Sequence, residues 1–275
     1  MQSKLISESE IQEMLQFTSV SHAAAWLKRT PEYAKAWADL DENSLHRGQI
    51  EKLLKASIFK DFSKIYQFAN PEQRKFLDLY SRRYEIRVLK EIMTNLFDHK
   101  STDAVDVSPY CDFFRRHSKL DLDRLTACTT MDEFINTLKG NEFYVPLSRI
   151  QNHDTALLFD YGMALDLYYF SMIWNVRKKL FSGKDLEQIT TAYGEKFDML
   201  NLQFISRSKR YFSMAPADIY ALLIPMNYKL KKEEITALVE ASTREEAQQI
   251  FRKTYYGKKY DHLSAHNLEE FYNYM

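Results

Sequence analysis

Apolar positions along this chain recur at three- and four-residue steps, the period of one face of an α-helix. Leu158, Tyr161, Leu165, Tyr168 and Met172 form one such stripe, and Leu54, Ile58, Phe62 and Ile65 form another nearer the front. No run shows the sustained apolar–polar alternation of a strand between Gly or Asn turns. Helix-start signals agree with this period. Thr30 before Pro31 reads as a cap followed by a first-turn proline. Ser7 with Glu10, and Ser242 with Glu245, read as capping boxes. Ser101–Pro109, STDAVDVSP, is the best loop or linker. The pattern predicts an all-α fold.

A longer period lies over the helical one. Ser19–Tyr33 (SVSHAAAWLKRTPEY), Thr130–Tyr144 (TMDEFINTLKGNEFY) and Ser242–Tyr256 (STREEAQQIFRKTYY) open on a hydroxyl residue and close on Tyr with the same gap. Their offsets are 130 − 19 = 111 and 242 − 130 = 112. A second element repeats at 197 − 84 = 113: Tyr84–Lys90 matches Phe197–Gln203, with Glu85 opposite Asp198 and Leu89 opposite Leu202. Ile58 and Phe62 map onto Phe170 and Trp174 at 112. The units run over residues 1–113, 114–226 and 227–275 within one compact body. The third is expected to be cut short, since the counterpart of Asp198 falls at 198 + 112 = 310. Repetition of this kind favours a scaffold over a pocket enzyme.

Composition narrows the function classes. Six Gly and six Pro in 275 residues favour long helices over many short strands. Lys plus Arg equals Asp plus Glu at 38 each, which disfavours a nucleic-acid partner. Cys111 and Cys128 match no zinc spacing and no disulfide framework, so they read as thiols of a reducing compartment. The first residues, MQSKLISESEIQEM, lack the apolar core of a signal peptide. The apolar stretch Thr155–Trp174 is broken by Asp160 and Asp166, so no bilayer span is expected and work at a membrane is expected to go through a partner.

Candidate chemistry is sparse. No phosphate-binding glycine loop occurs, and Gly183-Lys184 and Gly257-Lys258 read as helix ends. His262 and His266 share a helical face near Asp261, Glu269 and Glu270, but the set is incomplete and reads as an exposed polar face. His22, His46, His99, His117 and His153 have no ligand spacing. Asp39 with Asp41, and Asp121 with Asp123, read as acids at helix starts, not as a magnesium site. The expectation is therefore no catalytic residue, no metal and no cofactor. An all-helical metal enzyme stands behind it as a less favoured class.

The stretch Phe197–Tyr228 closely resembles the AC39-type subunit of rotary ATPases, known as the d subunit in vacuolar enzymes and the C subunit in archaeal-type enzymes. Asp198, Asn201, Ile205, Arg207, Lys209, Ile219, Leu222, Leu223, Ile224, Pro225 and Tyr228 carry the match. The Tyr33, Tyr144 and Tyr256 motifs fit the same family. The resemblance implies a funnel of three pseudo-symmetric helical units. It implies a non-catalytic rotor adapter on the cytoplasmic face, held between central shaft subunits and the membrane ring of an ion-pumping ATPase, and attached to the membrane through that complex. Two departures stand out. The first copy carries Val88 and Thr94 where the second has Asn201 and Arg207, and the expected C-terminal acid and Asn motif is missing. The alternative is a helical-repeat module that binds a different partner.

Asp198, Asn201, Arg207 and Lys209 form the one polar set with two sharp readings. They are a contact surface for shaft or ring, or an inter-helix network that fixes the fold. The network is favoured because a buried Asp and Asn need partners. Tyr33, Tyr144 and Tyr256 likewise read as core residues with a hydroxyl partner. The basic cluster Arg177, Lys178, Lys179 and Lys184 reads as a solvated helix end, against an acidic lipid or acidic partner.

Overall fold

Scarce glycine and a dominant 3.6-residue period leave little but helices. The computed structural model describes residues 6–37, 41, 44–98, 111–151 and 156–259, and every regular element among them is a helix. In chain order these are α1 (Glu8–Met14), α2 (Val20–Arg29), α3 (Pro31–Trp37), α4 (Arg47–Phe68) and α5 (Pro71–Phe97). Next come α6 (Cys111–His117), α7 (Leu122–Thr126), α8 (Met131–Thr137), α9 (Tyr144–Gln151), α10 (Leu158–Leu180) and α11 (Gly183–Tyr211). The last are α12 (Pro216–Leu222), α13 (Lys232–Glu240), α14 (Arg244–Lys253) and α15 (Tyr255–Lys259).

Two long hairpins, α4–α5 and α10–α11, alternate with groups of short helices. Their turns fall in register: α4 ends at Phe68 and α10 at Leu180, 180 − 68 = 112 apart, and the caps Asn70 and Ser182 keep the same step. The short-helix groups share a cap design. Ser19 accepts from the His22 amide, Thr130 from Glu133 and Thr243 from Glu246. In the last two, the residue before the cap also donates its amide to the same glutamate: Thr129 to Glu133 at 2.9 Å and Ser242 to Glu246 at 2.7 Å. The expected Ser242–Glu245 box is thus displaced by one residue, because the pair that closes the turn is Thr243 with Glu246. Ser7 and Glu10 do form a capping box. Pro31 opens α3, but the Thr30 hydroxyl donates back to the Trp26 carbonyl of α2. The boundary between residues 113 and 114 falls inside α6. Ser101–Pro109, His99, His153 and the group from Asp261 to Glu270 lie outside the described residues.

Burial corrects the stripe on α4. Ile58 and Ile65 are exposed at 46% and 43%, and the buried face is Ile50, Phe59 and Phe62. Phe59 turns inward because Tyr84 of α5 and Phe113 of α6 wait there, with ring centroids at 4.9 and 5.7 Å. On α10, Tyr161 and Leu165 are buried as expected. The buried line then continues through Tyr169 and Ile173, leaving Tyr168 and Met172 at its edge.

Three apolar clusters result. The largest joins both hairpins with α6–α9. A second joins the C-terminal half of α11 to α12, α13 and Tyr256. A third, smaller cluster joins α2, α3 and the start of α4 around Trp37. α11 belongs to the first two, so it couples them mechanically. Lys90 of α5 pairs with Asp166 of α10 across the seam between hairpins at 2.6 Å. Arg82 pairs with Glu85 on its own helix at 2.9 Å and with Glu142, just before α9, at 2.8 Å. Tyr168 donates to Glu142 at 2.8 Å.

Candidate functional site

The densest polar construction among the described residues lies on α11. Asp198 and Asn201 stand one turn apart on a helix whose neighbours on the same face are apolar, and both are fully buried. A buried carboxylate must be satisfied or it is strongly destabilising. Asp198 is satisfied four times. Its Oδ1 accepts from the Tyr228 amide at 3.0 Å. Its Oδ2 accepts from the amides of Lys229 at 2.6 Å and Leu230 at 2.9 Å, and from the Tyr256 hydroxyl at 2.8 Å. Asn201 pairs with both backbone groups of Ile224: its Oδ1 accepts from the amide at 2.8 Å and its Nδ2 donates to the carbonyl at 3.0 Å.

Together they clamp the connection between α12 and α13 onto α11. Burial pushes the Asp198 carboxyl up from its ordinary value, against the pull of the three amides and the tyrosine hydroxyl. Burial and the neighbouring carboxylate push the Tyr256 phenol up as well, so it stays a donor. Gly194, one turn before Asp198, completes the seat. A Cβ there would lie 2.5 Å from Cγ and 2.8 Å from Cβ of Tyr228, so only glycine lets this ring lie on the helix. The Tyr228 hydroxyl meets Thr191 at 3.1 Å.

The other motif residues divide. Lys209 donates to the carbonyl of Ala241, the C-cap of α13, at 2.6 Å, where a cation opposes the helix dipole. Arg207 is exposed, and no hydrogen bond or ion pair holds it among the described residues. Tyr144 is half-buried at the start of α9 against the large cluster. Tyr33 packs in the small cluster, with its ring 6.3 Å from Trp37. The structure thus brings Asp198, Asn201 and Tyr256 together, sets Lys209 farther along the same helix, and separates Arg207, Tyr33 and Tyr144 from them.

The first hairpin carries a simpler version. Glu85 of α5 is buried and pairs with Arg82 at 2.9 Å. Val88, at the place of Asn201, is fully buried in an apolar setting, which accounts for the missing Asn. Burial pushes the Glu85 carboxyl above its ordinary value.

Gly194 escapes sequence reasoning, yet a signal exists. It is an isolated glycine in a helical pattern, and the residue 194 − 81 = 113 positions earlier is Ser81, also small and buried. Gly257 is no helix end: it is buried inside α15, where a Cβ would meet the Phe251 carbonyl. Among the described residues no group of three or more His, Cys, Asp or Glu side chains could hold a metal ion. No helix there is long and apolar enough to cross a membrane. The arrangement ties the backbone of the α12–α13 connection to side chains of α11.

The family described as ATP synthase (C/AC39) subunit matches residues 1–274. The chain is similar to the A-type ATP synthase C subunit of Methanothermobacter thermautotrophicus, 21% identical over 243 residues, 86% of this chain and 59% of that protein. It is similar to the same subunit of Methanosphaera stadtmanae, 20% identical over 271 residues, 96% of this chain and 66% of that protein. The counterpart from Methanosarcina mazei is 23% identical over 200 residues, 73% of this chain and 51% of that protein. The chain therefore spans about three-fifths of the length of the first of these relatives.

Proposed function

The chain belongs to the ATP synthase (C/AC39) subunit family, and from that premise we propose that it is a non-catalytic central-stalk rotor subunit of a V/A-type ATPase. In this role it links the rotating shaft to the membrane ion-carrying ring and transmits torque for proton or sodium transport. It sits on the cytoplasmic face as part of the membrane complex. The observation that carries the proposal is the family match across 274 residues.

The geometry supports it. Torque transmission needs a part that deforms little, and packed helices of crystal-like density meet that need. Here α11, 29 residues long, is shared by two apolar clusters and pinned to the α12–α13 connection by Asp198 and Asn201. A funnel of three such units, the third partial, is the arrangement this proposal requires. Tyr33, Tyr144, Tyr256, Asp198, Asn201 and Lys209 then serve as joints within it, and Arg207 is left for contact with a partner.

Native mass spectrometry of membrane-derived complexes tests the proposal. The chain is expected in stoichiometric complexes with shaft and ring subunits, and without ATP hydrolysis when alone. Recovery with neither, under conditions in which relatives bind both, would overturn it. Stable recovery with an unrelated soluble protein would favour a helical-repeat binding module instead.

A further inference from the structure

The two hairpins end side by side, and their tips differ chemically from the rest of the surface. Phe76 of α5 meets Phe181 of the α10–α11 turn, ring centroids 6.1 Å apart. Between the turns lies an open groove of about 830 Å3 whose apolar wall is Ile65, Phe68, Phe76, Leu77, Phe181 and Ile189. Phe68 is 85% exposed, the most of any large apolar side chain among the described residues. It is the last residue of α4, where the chain turns into α5.

The groove's own charged lining is Lys64, Glu72 and Asp185, and positive charge gathers on the neighbouring turn. Lys178, Lys179 and Lys184 are exposed on the second turn. Their neighbour Arg177 is tucked inward instead, its guanidinium 3.4 Å from the Trp174 ring centre, donating to the Trp174 carbonyl and to Thr190. On the first turn, Lys64 and Lys75 are offset locally by Asp61 and Glu72. Asp185 and Glu187 are the acids of the second turn, so its three exposed lysines exceed them. In a chain of formal net charge zero, this excess is a local feature.

An exposed aromatic at a hairpin tip, with exposed lysines on the neighbouring turn, suits a soft anionic surface better than a rigid protein pocket. Rings of this kind settle at the headgroup level of a bilayer, and lysines gain from anionic headgroups nearby. We propose that the hairpin tips bind an anionic lipid surface directly, with Phe68 entering the headgroup–acyl boundary and Lys178, Lys179 and Lys184 facing the anionic headgroups. This goes beyond attachment through a complex and does not rest on the rotor role.

Vesicle flotation with the full chain and no other protein tests it. The chain is expected to float with vesicles of phosphatidylcholine mixed with phosphatidylglycerol, not with phosphatidylcholine alone, and less as salt rises. The triple variant K178Q/K179Q/K184Q should lower partitioning roughly 100-fold, at about five-fold per lysine. F68A should lower it roughly ten-fold by losing the inserted ring. All four side chains are exposed, so folding is expected to survive, which circular dichroism checks. F212A removes a ring 69% exposed at the other end of α11 and should leave partitioning unchanged. Absence of phosphatidylglycerol-dependent flotation, or equal losses in F68A and F212A, would overturn the proposal. Because the vesicles carry no ATPase subunit, that failure leaves the rotor reading standing.

Discussion

Replacing Asp198 with Ala removes the one acceptor that four donors share. Three are backbone amides of Tyr228, Lys229 and Leu230, and the fourth is the Tyr256 hydroxyl. A buried donor left unsatisfied costs roughly 1–3 kcal/mol. The Leu230 amide and the Tyr256 hydroxyl are buried and take the full cost, while water reaches the half-buried Tyr228 and Lys229 amides more easily. Removing a carboxylate that burial already disfavours returns part of the loss. The net expectation is about 3–5 kcal/mol, a large share of the roughly 5–15 kcal/mol that stabilises a typical domain. Asp198→Asn should cost about 2 kcal/mol, because one oxygen can still serve the three donors at Oδ2 while its amide opposes the Tyr228 N–H.

Urea unfolding followed by circular dichroism measures these losses, and a double-mutant cycle with Tyr256→Phe isolates the hydroxyl. Tyr256→Phe alone should cost about 1–2 kcal/mol and close to nothing on the Asp198→Ala background. Hydrogen exchange at residues 228–230 should accelerate in Asp198→Ala. A loss below about 1 kcal/mol for Asp198→Ala, or a coupling below about 0.5 kcal/mol, would refute the clamp as described.

Three further outcomes follow from the same geometry. Gly194→Ala should destabilise by about 2–3 kcal/mol in urea unfolding, since its Cβ must displace the root of the Tyr228 ring, and a loss under about 0.5 kcal/mol would show that the loop yields freely. Thr243→Ala should cost about 1 kcal/mol as a lost cap, whereas Ser242→Ala should stay within about 0.5 kcal/mol because Ser242 contributes its amide; the reverse order would restore Ser242 as the cap. Glu85 titrates above its ordinary value when folded, because burial favours its protonated form. The folded state then binds more protons, so this group's contribution weakens as pH rises from the unfolded value through the folded one. The stability of the wild-type protein relative to Glu85→Gln should therefore fall across that window in unfolding curves, and a difference that rises with pH would contradict it.

The helical class was legible because propensity and period act locally. Few glycines, cap residues and three-to-four spacing force helices whatever lies around them. Helix caps recur at a matching step, Asn70 with Ser182 and Thr130 with Thr243, because they are local punctuation set by the residues themselves. Errors of one residue were not avoidable at that level. Ser242 and Thr243 are both hydroxyl residues with an acid three positions on, and the choice between them rests on which closes the turn. Ile58 and Phe59 both fit an apolar period, and only the arrival of Tyr84 and Phe113 decides which is buried.

The polar set shows the same division. Spacing puts Asp198 and Asn201 on one face of α11, and the sequence alone marks them with Arg207 and Lys209 as worth attention. It does not say what meets them. Period determines which residues share a helix face. The face that other elements cover depends on contacts between segments far apart in the chain, here residues 198 and 256, or 194 and 228. Tertiary structure alone turned Asp198 into an acceptor for a distant loop, made Lys209 a cap for α13, left Arg207 outside, and required glycine at 194.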